Sequence, residues 1–229
     1  MGLFDRSVKV SASGLLNGRT DWHCHILPGV DDGFRHMEDS LAALERYEQE
    51  GFTEVWLTPH IMEDIPNTTA ALRAGFAALQ QEYRGGLRLH IASENMMDGL
   101  FEERLEAGDL LPLSKSRLLV ETSYFNPPMD MDGILDRVKS KGFFPLLAHP
   151  ERYMYMDMKR YEQLKGMDVE FQLNISSLTG AYGPEAFEKA KKLLKAGMYE
   201  YSGTDLHRLS SLEHMLDAGI SKKLLALIP

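Results

Sequence analysis

Seven short apolar runs punctuate the chain: Thr20–His25, Glu54–Pro59, Leu87–Ser93, Leu118–Glu121, Phe143–Leu147, Val169–Leu173 and Met198–Ser202. Each is rich in Val, Ile, Leu or aromatic residues and too short for a core helix, which is the pattern of buried strands. Between most of them the spacing turns helical. Leu41, Leu44 and Tyr47 precede Gly51, and Leu72, Phe76, Leu79 and Tyr83 follow the capping candidates Asn67 and Thr68. Ile134 to Lys141 runs into Gly142 and Pro184 to Ala196 into Gly197, glycines suited to a left-handed helix end. Strand followed by helix, repeated, predicts parallel strands joined by right-handed crossovers. Seven such units without a linker, repeat or low-complexity tract predict one α/β domain over residues 1–229, closed or nearly closed into a barrel. In such barrels the C-terminal strand ends carry the chemistry, and the Pro-rich patch Asn126-Pro127-Pro128 reads as a loop on that face.

Those strand ends are where ligand-type residues collect. His23 and His25 are two apart, so on an extended strand both point to one face while Trp22 and Cys24 pack on the other. The second run leads into His60, the third into Glu94, the fourth carries Glu121, the fifth leads into His149 and the seventh into Asp205-Leu206-His207. Asn174 follows the sixth, and Asp32 sits in the loop after the first. Nine imidazoles and carboxylates, His23, His25, Asp32, His60, Glu94, Glu121, His149, Asp205 and His207, can thus converge on one edge. Carboxylates at buried strand ends are costly to desolvate unless paired or metal-bound. The set suits Mn²⁺, Fe²⁺ or Zn²⁺ and exceeds what one ion needs. His36, His90 and His214 lack the strand-end context and read as surface or core histidines.

Composition narrows the function classes. A formal charge of −9 with no basic run argues against a nucleic-acid binder. The single cysteine, Cys24, excludes an intramolecular disulfide and a Cys-rich zinc module, and it suits a cytoplasmic protein. No apolar export core lies in Met1 to Gly18 and no run of about 18 apolar residues occurs, so neither secretion nor membrane insertion is expected.

The segment from Asp21-Trp22-His23-Cys24-His25 through Ile26-Leu27-Pro28-Gly29-Val30-Asp31-Asp32-Gly33 resembles the opening motif of the polymerase and histidinol phosphatase (PHP) superfamily. More narrowly, it resembles the bacterial manganese-dependent protein tyrosine phosphatases of capsule and exopolysaccharide synthesis. Leu57-Thr58-Pro59-His60, Leu147-Ala148-His149-Pro150-Glu151-Arg152-Tyr153 and Gly203-Thr204-Asp205-Leu206-His207 support it, and together these motifs span almost the whole chain. The resemblance implies a distorted seven-stranded (β/α)7 barrel with three divalent ions, manganese foremost and iron or zinc as alternatives. It assigns one ion to His23, His25, Glu94 and Asp205, a second, bridged by Glu94, to Glu121 and His149, and a third to Asp32, His60 and His207. Ala92-Ser93-Glu94-Asn95 departs from the family's usual aromatic after the glutamate, which bears on pocket shape.

The implied activity is hydrolysis of phosphotyrosine on a bacterial tyrosine kinase by in-line attack of a metal-bridging hydroxide, without a phosphoenzyme. A cysteine-dependent phosphatase would need an Arg six residues after Cys24, where Val30 stands, so Cys24 is expected to pack. Arg152 and then Arg208, each near a ligand histidine, are the candidate catalytic cations for a phosphate oxygen. Tyr124 and Tyr153, with Phe125, Met154 and Tyr155, are candidates for a slot that binds the phosphotyrosine ring. A small-molecule phosphoesterase such as a histidinol-phosphate phosphatase, and a non-catalytic metal-binding regulatory protein, are the alternatives.

Overall fold

The computed structural model describes residues 6–114 and 116–229. The reading of the export-signal region from Met1 onward therefore lies outside the described residues up to position 5.

Among the described residues, eleven strands and nine α-helices make a mixed α/β fold. The strands are β1 (Ser7–Lys9), β2 (Thr20–Cys24), β3 (Glu54–Leu57), β4 (His60–Ile61), β5 (Arg88–Ile91), β6 (Glu94–Met96), β7 (Arg117–Glu121), β8 (Phe144–Ala148), β9 (Glu170–Asn174), β10 (Tyr201–Gly203) and β11 (Gly219–Ser221). The helices are α1 (Val10–Ser13), α2 (Met37–Glu50), α3 (Thr69–Glu82), α4 (Gly99–Ala107), α5 (Met131–Ser140), α6 (Met158–Gly166), α7 (Gly183–Lys195), α8 (Leu209–Asp217) and α9 (Lys222–Leu225). All pairs in the central layer are parallel, as short strands separated by helices require.

While β1 and β11 pair antiparallel by themselves, the other nine strands fall into a curled six-stranded sheet, β10-β9-β8-β7-β6-β4, and a three-stranded one, β2-β3-β5, rather than one unbroken seven-stranded ring. The reason is local. Pro59, which has no N–H, separates β3 from β4, and Ala92-Ser93 separates β5 from β6, so the second and third predicted strands each split in two. Hydrogen bonds nevertheless cross both gaps in the ladder. The Glu94 amide donates to the Thr58 and Pro59 carbonyls, the Asp205 amide to the His23 carbonyl (2.8 Å) and the His25 amide to the Leu206 carbonyl (2.9 Å).

Period-two alternation sorts the side chains. Leu118, Val120, Leu147, Phe171 and Leu173 join helix residues such as Leu44, Leu135 and Leu193 in the larger core, while Leu119, Leu146 and Ala148 face a smaller cluster with Trp56 and Ala92. β2 breaks the alternation with a register shift between Asp21 and Cys24. Trp22 therefore packs in the smaller cluster and Cys24 in the larger, not on one shared face as simple alternation predicts. The helix signals hold where sequence chemistry set them: the Thr68 hydroxyl caps α3 by accepting from the Ala71 amide (3.1 Å), and Gly51 ends α2 at φ 94°. No helix among the described residues is long and apolar enough to cross a membrane.

Candidate metal centre and phosphate cleft

Strand ends deliver the polar residues, and two of them do so in an unusual backbone state. His149 (φ 34°) and Asp205 (φ 54°) are two of the four non-glycine residues with left-handed φ among those described. Such conformations persist where the surroundings impose them, often at functional sites. Here they turn side chains that follow β8 and β10 into a shared cleft of about 400 Å³, lined also by Asp32, His60, Glu94 and His207.

Three groups within that set place their ligand atoms within 4.8 Å of one another: His23, His25, Glu94 and Asp205; His60, Glu94 and Glu121; and His25, Asp32, His60 and His207. His149 completes the nine, its Nε2 3.0 Å from Glu94 Oε1 and 3.9 Å from Glu121 Oε2. Glu94 joins two of the groups, as the sequence reading has it, but so do His25 and His60, the latter with Nδ1 3.1 Å from Glu94 Oε2 and 3.0 Å from Glu121 Oε1. His36, His90 and His214 join none of the groups; His90 stacks on Trp56.

The imidazoles are oriented from behind. His23 Nδ1 lies 3.0 Å from Gln172 Oε1, and His25 Nδ1 lies 2.8 Å from Asp31 Oδ2. If both Nδ1 atoms carry protons, both Nε2 lone pairs face inward, the arrangement typical of metal-bound histidine. The two Nε2 atoms are 3.1 Å apart, each within 3.4 Å of Glu94 Oε2 and Asp205 Oδ1. Meanwhile His60 Nδ1, Glu94 Oε2 and Glu121 Oε1 are buried yet satisfied by no hydrogen bond. Buried acceptors without donors are rare. Atoms this close that aim at one another without hydrogen-bond geometry are what a divalent cation between them would satisfy, so the donor set fits the metal that sequence reasoning expects.

The facing imidazoles and carboxylates shift one another's ionisation. Burial pulls the His23 imidazolium down, but the Glu94 and Asp205 carboxylates outweigh it and hold His23 at about 9. Burial likewise opposes ionisation of Glu94 and Asp205, yet facing cations, His23 first, keep both well below the usual carboxylate range. Asp32 is drawn down to about 2, chiefly by its hydrogen bond with His207.

Arg152 lines the cleft beside this cluster. Its Nη1 donates to Asp205 Oδ2 (2.6 Å), and its guanidinium sits between two aromatic rings, 4.5 Å from the centre of Tyr124 and 4.1 Å from that of Tyr182. Asn174 Nδ2 ties this wall together by donating to both Tyr182 Oη (3.1 Å) and Asp205 Oδ2 (3.0 Å). Arg208 lies exposed at the cleft mouth. Of the slot candidates only Tyr124 lines the cleft. Tyr153 is fully buried beneath it, its hydroxyl donating to the Ala148 carbonyl (3.0 Å) and accepting from the Thr122 amide (3.3 Å). Phe125 and Met154 lie outside on the surface.

Sequence reasoning missed Asp31, Gln172, Tyr182 and Glu151. Gln172 carried a readable signal, a polar residue inside the apolar run Val169–Leu173. Glu151, one residue of the His149-Pro150-Glu151-Arg152-Tyr153 motif, is buried and braces the turn after β8, accepting from the Asn174 amide (3.0 Å) and from the Ser177 (2.7 Å) and Tyr199 (2.9 Å) hydroxyls. Cys24 is wholly buried, and burial lifts its thiol well above the usual range, so no thiolate stands in the cleft.

The family described as "Capsular polysaccharide synthesis, CpsB/CapC" matches residues 19–222. Tyrosine-protein phosphatase YwqE of Bacillus subtilis is 26% identical over 198 residues, covering 83% of this chain and 78% of its own length. Tyrosine-protein phosphatase CpsB of Streptococcus pneumoniae is 27% identical over 208 residues, covering 86% and 84%. A chain from the crystal structures of YwqE and CpsB, described as unique metal-dependent tyrosine phosphatases, superposes with a TM-score of 0.77 at 25% identity, covering 84% of this chain and 81% of that one.

Proposed function

Because this chain belongs to the CpsB/CapC family of capsular polysaccharide synthesis proteins, we propose that it is a metal-dependent phosphatase acting on phosphotyrosine in a protein, namely a bacterial tyrosine kinase that governs capsule or exopolysaccharide synthesis. The observation that carries the reading is the convergence of buried, mutually unsatisfied His60 Nδ1, Glu94 Oε2 and Glu121 Oε1 beside an arginine-bearing cleft.

We assign three divalent ions, manganese foremost and iron or zinc as alternatives: one to His23, His25, Glu94 and Asp205, one to Glu94, Glu121 and His149, and one to Asp32, His60 and His207. The grouping of His60 with Glu94 and Glu121 makes it a candidate to reach the second ion as well. Such ions would supply Lewis acidity toward the phosphoryl group and an activated water. The protein's own residues do the rest. Gln172 and Asp31 fix the tautomers of His23 and His25. Arg152 spends one N–H on Asp205 and keeps its remaining donors for phosphoryl oxygens, while Tyr124 and Tyr182 hold its plane. Arg208 adds a second cation at the mouth, and the Tyr124 ring offers a wall to the substrate's aromatic ring. A phenolate of pKa about 10 leaves without a strong acid to protonate it.

We further read the two parallel sheets as one distorted seven-stranded PHP-type barrel within a single domain. The Asp205 to His23 and His25 to Leu206 hydrogen bonds and a hydrophobic cluster running from Val10 to Ile228 support this. A cytoplasmic location suits its lone buried cysteine.

Phosphate release from a phosphotyrosine peptide and from histidinol phosphate, measured side by side after chelation and re-addition of Mn²⁺, tests the reading. Restoration on the peptide is expected; restoration on histidinol phosphate alone would make the protein a small-molecule phosphoesterase, and silence on both would make it a metal-binding regulator.

A further inference from the structure

Six large hydrophobic side chains stand exposed among the described residues, and four of them, Phe125 (67%), Met129 (fully exposed), Met154 (57%) and Tyr182 (38%), belong to segments that follow β7, β8 and β9 at the cleft. Scattered exposed apolar residues need no explanation, whereas a cluster at the edge of a site does. The cluster is built on two loops laced to each other. The Met154 amide donates to the Tyr124 carbonyl (2.8 Å), the Thr122 and Tyr155 hydroxyls bond, and Lys189 Nζ clamps the Tyr153 carbonyl (2.7 Å). Tyr124 is cleft wall, so Phe125 and Met154, attached at either end of that backbone bond, stand just outside it. Past them Met129 joins Pro127, Pro128 and Tyr155 around a second hollow of about 450 Å³.

Charge does not explain this edge. Asp130 pairs with Arg137, Asp132 with Arg160, and Asp157 caps α6 at the Arg160 amide. With its acids engaged, the surface is matched to an uncharged apolar segment rather than to a polyanion or an acidic lipid headgroup. Its position names the occupant. A phosphotyrosine whose ring lies against Tyr124 must project from a chain lying across the cleft mouth, and that chain then lies on Phe125 and Met154.

We propose that Phe125, Met129 and Met154 form a docking surface for a polypeptide segment carrying an apolar side chain within a few residues of the phosphotyrosine. The inference rests on the phosphatase reading and deepens it: the substrate is an extended, exposed stretch of protein with apolar neighbours, and methionines suit a surface that must adapt to more than one sequence.

Steady-state kinetics of the full, Mn²⁺-loaded chain test it with three substrates: a phosphotyrosine peptide flanked by leucines, the same peptide flanked by serines, and phenyl phosphate, which is too small to reach the rim. The unaltered protein should show a lower KM for the leucine peptide than for the serine peptide. The double variant Phe125→Ser with Met154→Ser should raise the KM for the leucine peptide by about tenfold, with kcat retained and phenyl phosphate turnover unchanged. That unchanged turnover also shows the variant is folded. Equal KM values for the two peptides, or an unaffected leucine peptide in the double variant, would overturn the proposal. A double variant that changed only the sedimentation of the protein, from dimer to monomer, would overturn it in favour of a second copy as occupant. Failure on all three substrates would remove the phosphatase reading and this inference with it, a result distinct from phenyl phosphate turnover without peptide preference.

Discussion

His23 and His25 approach each other at Nε2 because each ring is held by its other nitrogen, His23 by Gln172 and His25 by Asp31. The Glu94 and Asp205 carboxylates favour the protonated form of His23 in metal-free protein, and the direction of the resulting pH dependence follows. A histidine raised from about 6.5 to about 9 contributes stability that is complete below the lower value and lost as pH rises through the upper one. Asp32, lowered to about 2, contributes above its ordinary value and loses that only in strong acid, so it does not move the same window. Thermal melting of chelated protein should therefore show Tm falling between about pH 6.5 and 9. The Tm gain from added Mn²⁺ should grow over that range, because metal binding displaces those protons. A chelated protein that became more stable across this window would contradict the arrangement. Cys24 supplies the contrasting case, a buried thiol near the Trp56 carbonyl. Cys24→Ser should leave phosphotyrosine turnover within a few-fold, whereas His149→Ala and Asp205→Ala should cut it by about a thousandfold or more. The reverse ranking in the same assay would require a thiolate mechanism.

Between β8 and α6 the chain makes a tight turn whose geometry is set from beneath by Glu151, and that turn carries both His149 and Arg152. Truncating Glu151 to Ala leaves the Asn174 amide and the Ser177 and Tyr199 hydroxyls without their acceptor. At about 1–3 kcal/mol for each unsatisfied buried group, Glu151→Ala should lower Tm by about 10 °C. Glu151→Gln, which keeps an acceptor and suits a carboxyl already raised by burial, should lower it less. Equal melting of the three proteins would show that the brace is not needed. Elements of this kind were poorly legible in sequence. The strand and helix periods marked where β2, β7, β8 and β9 lie to within a residue or so, because burial on both faces forces continuous apolar runs. The break in the second strand has a local signal in Pro59, but that in the third was hidden, since it depends on which backbone groups meet across the ladder. The bulge in β2 was hidden for the same reason, and it put Trp22 and Cys24 on opposite faces.

Across the whole molecule, the nine metal-binding candidates were legible because desolvating a carboxylate or imidazole at a strand end demands a partner, and nine such residues at one edge leave few alternatives. Their supports were not. Asp31 was overshadowed by its neighbour Asp32, and Tyr182 lies on a segment after β9 whose meeting with Arg152 only the packed chain brings about. Tyr153 lies beneath the cleft rather than along it, a difference its place in the motif does not reveal. Gly203 illustrates how closely the two parallel sheets meet: a Cβ there would stand 2.6 Å from His23 Cβ, so β10 can lie against β2 only without a side chain at that position. We propose that this edge of the fold is a phosphotyrosine-hydrolysing centre of three ions. Its most direct test is titration of the chelated protein with Mn²⁺, counting bound metal by elemental analysis and phosphotyrosine-peptide hydrolysis in the same samples. Three ions per chain, with turnover rising only as they bind, is the predicted result; full turnover in metal-free protein, or no stoichiometric binding, would contradict it.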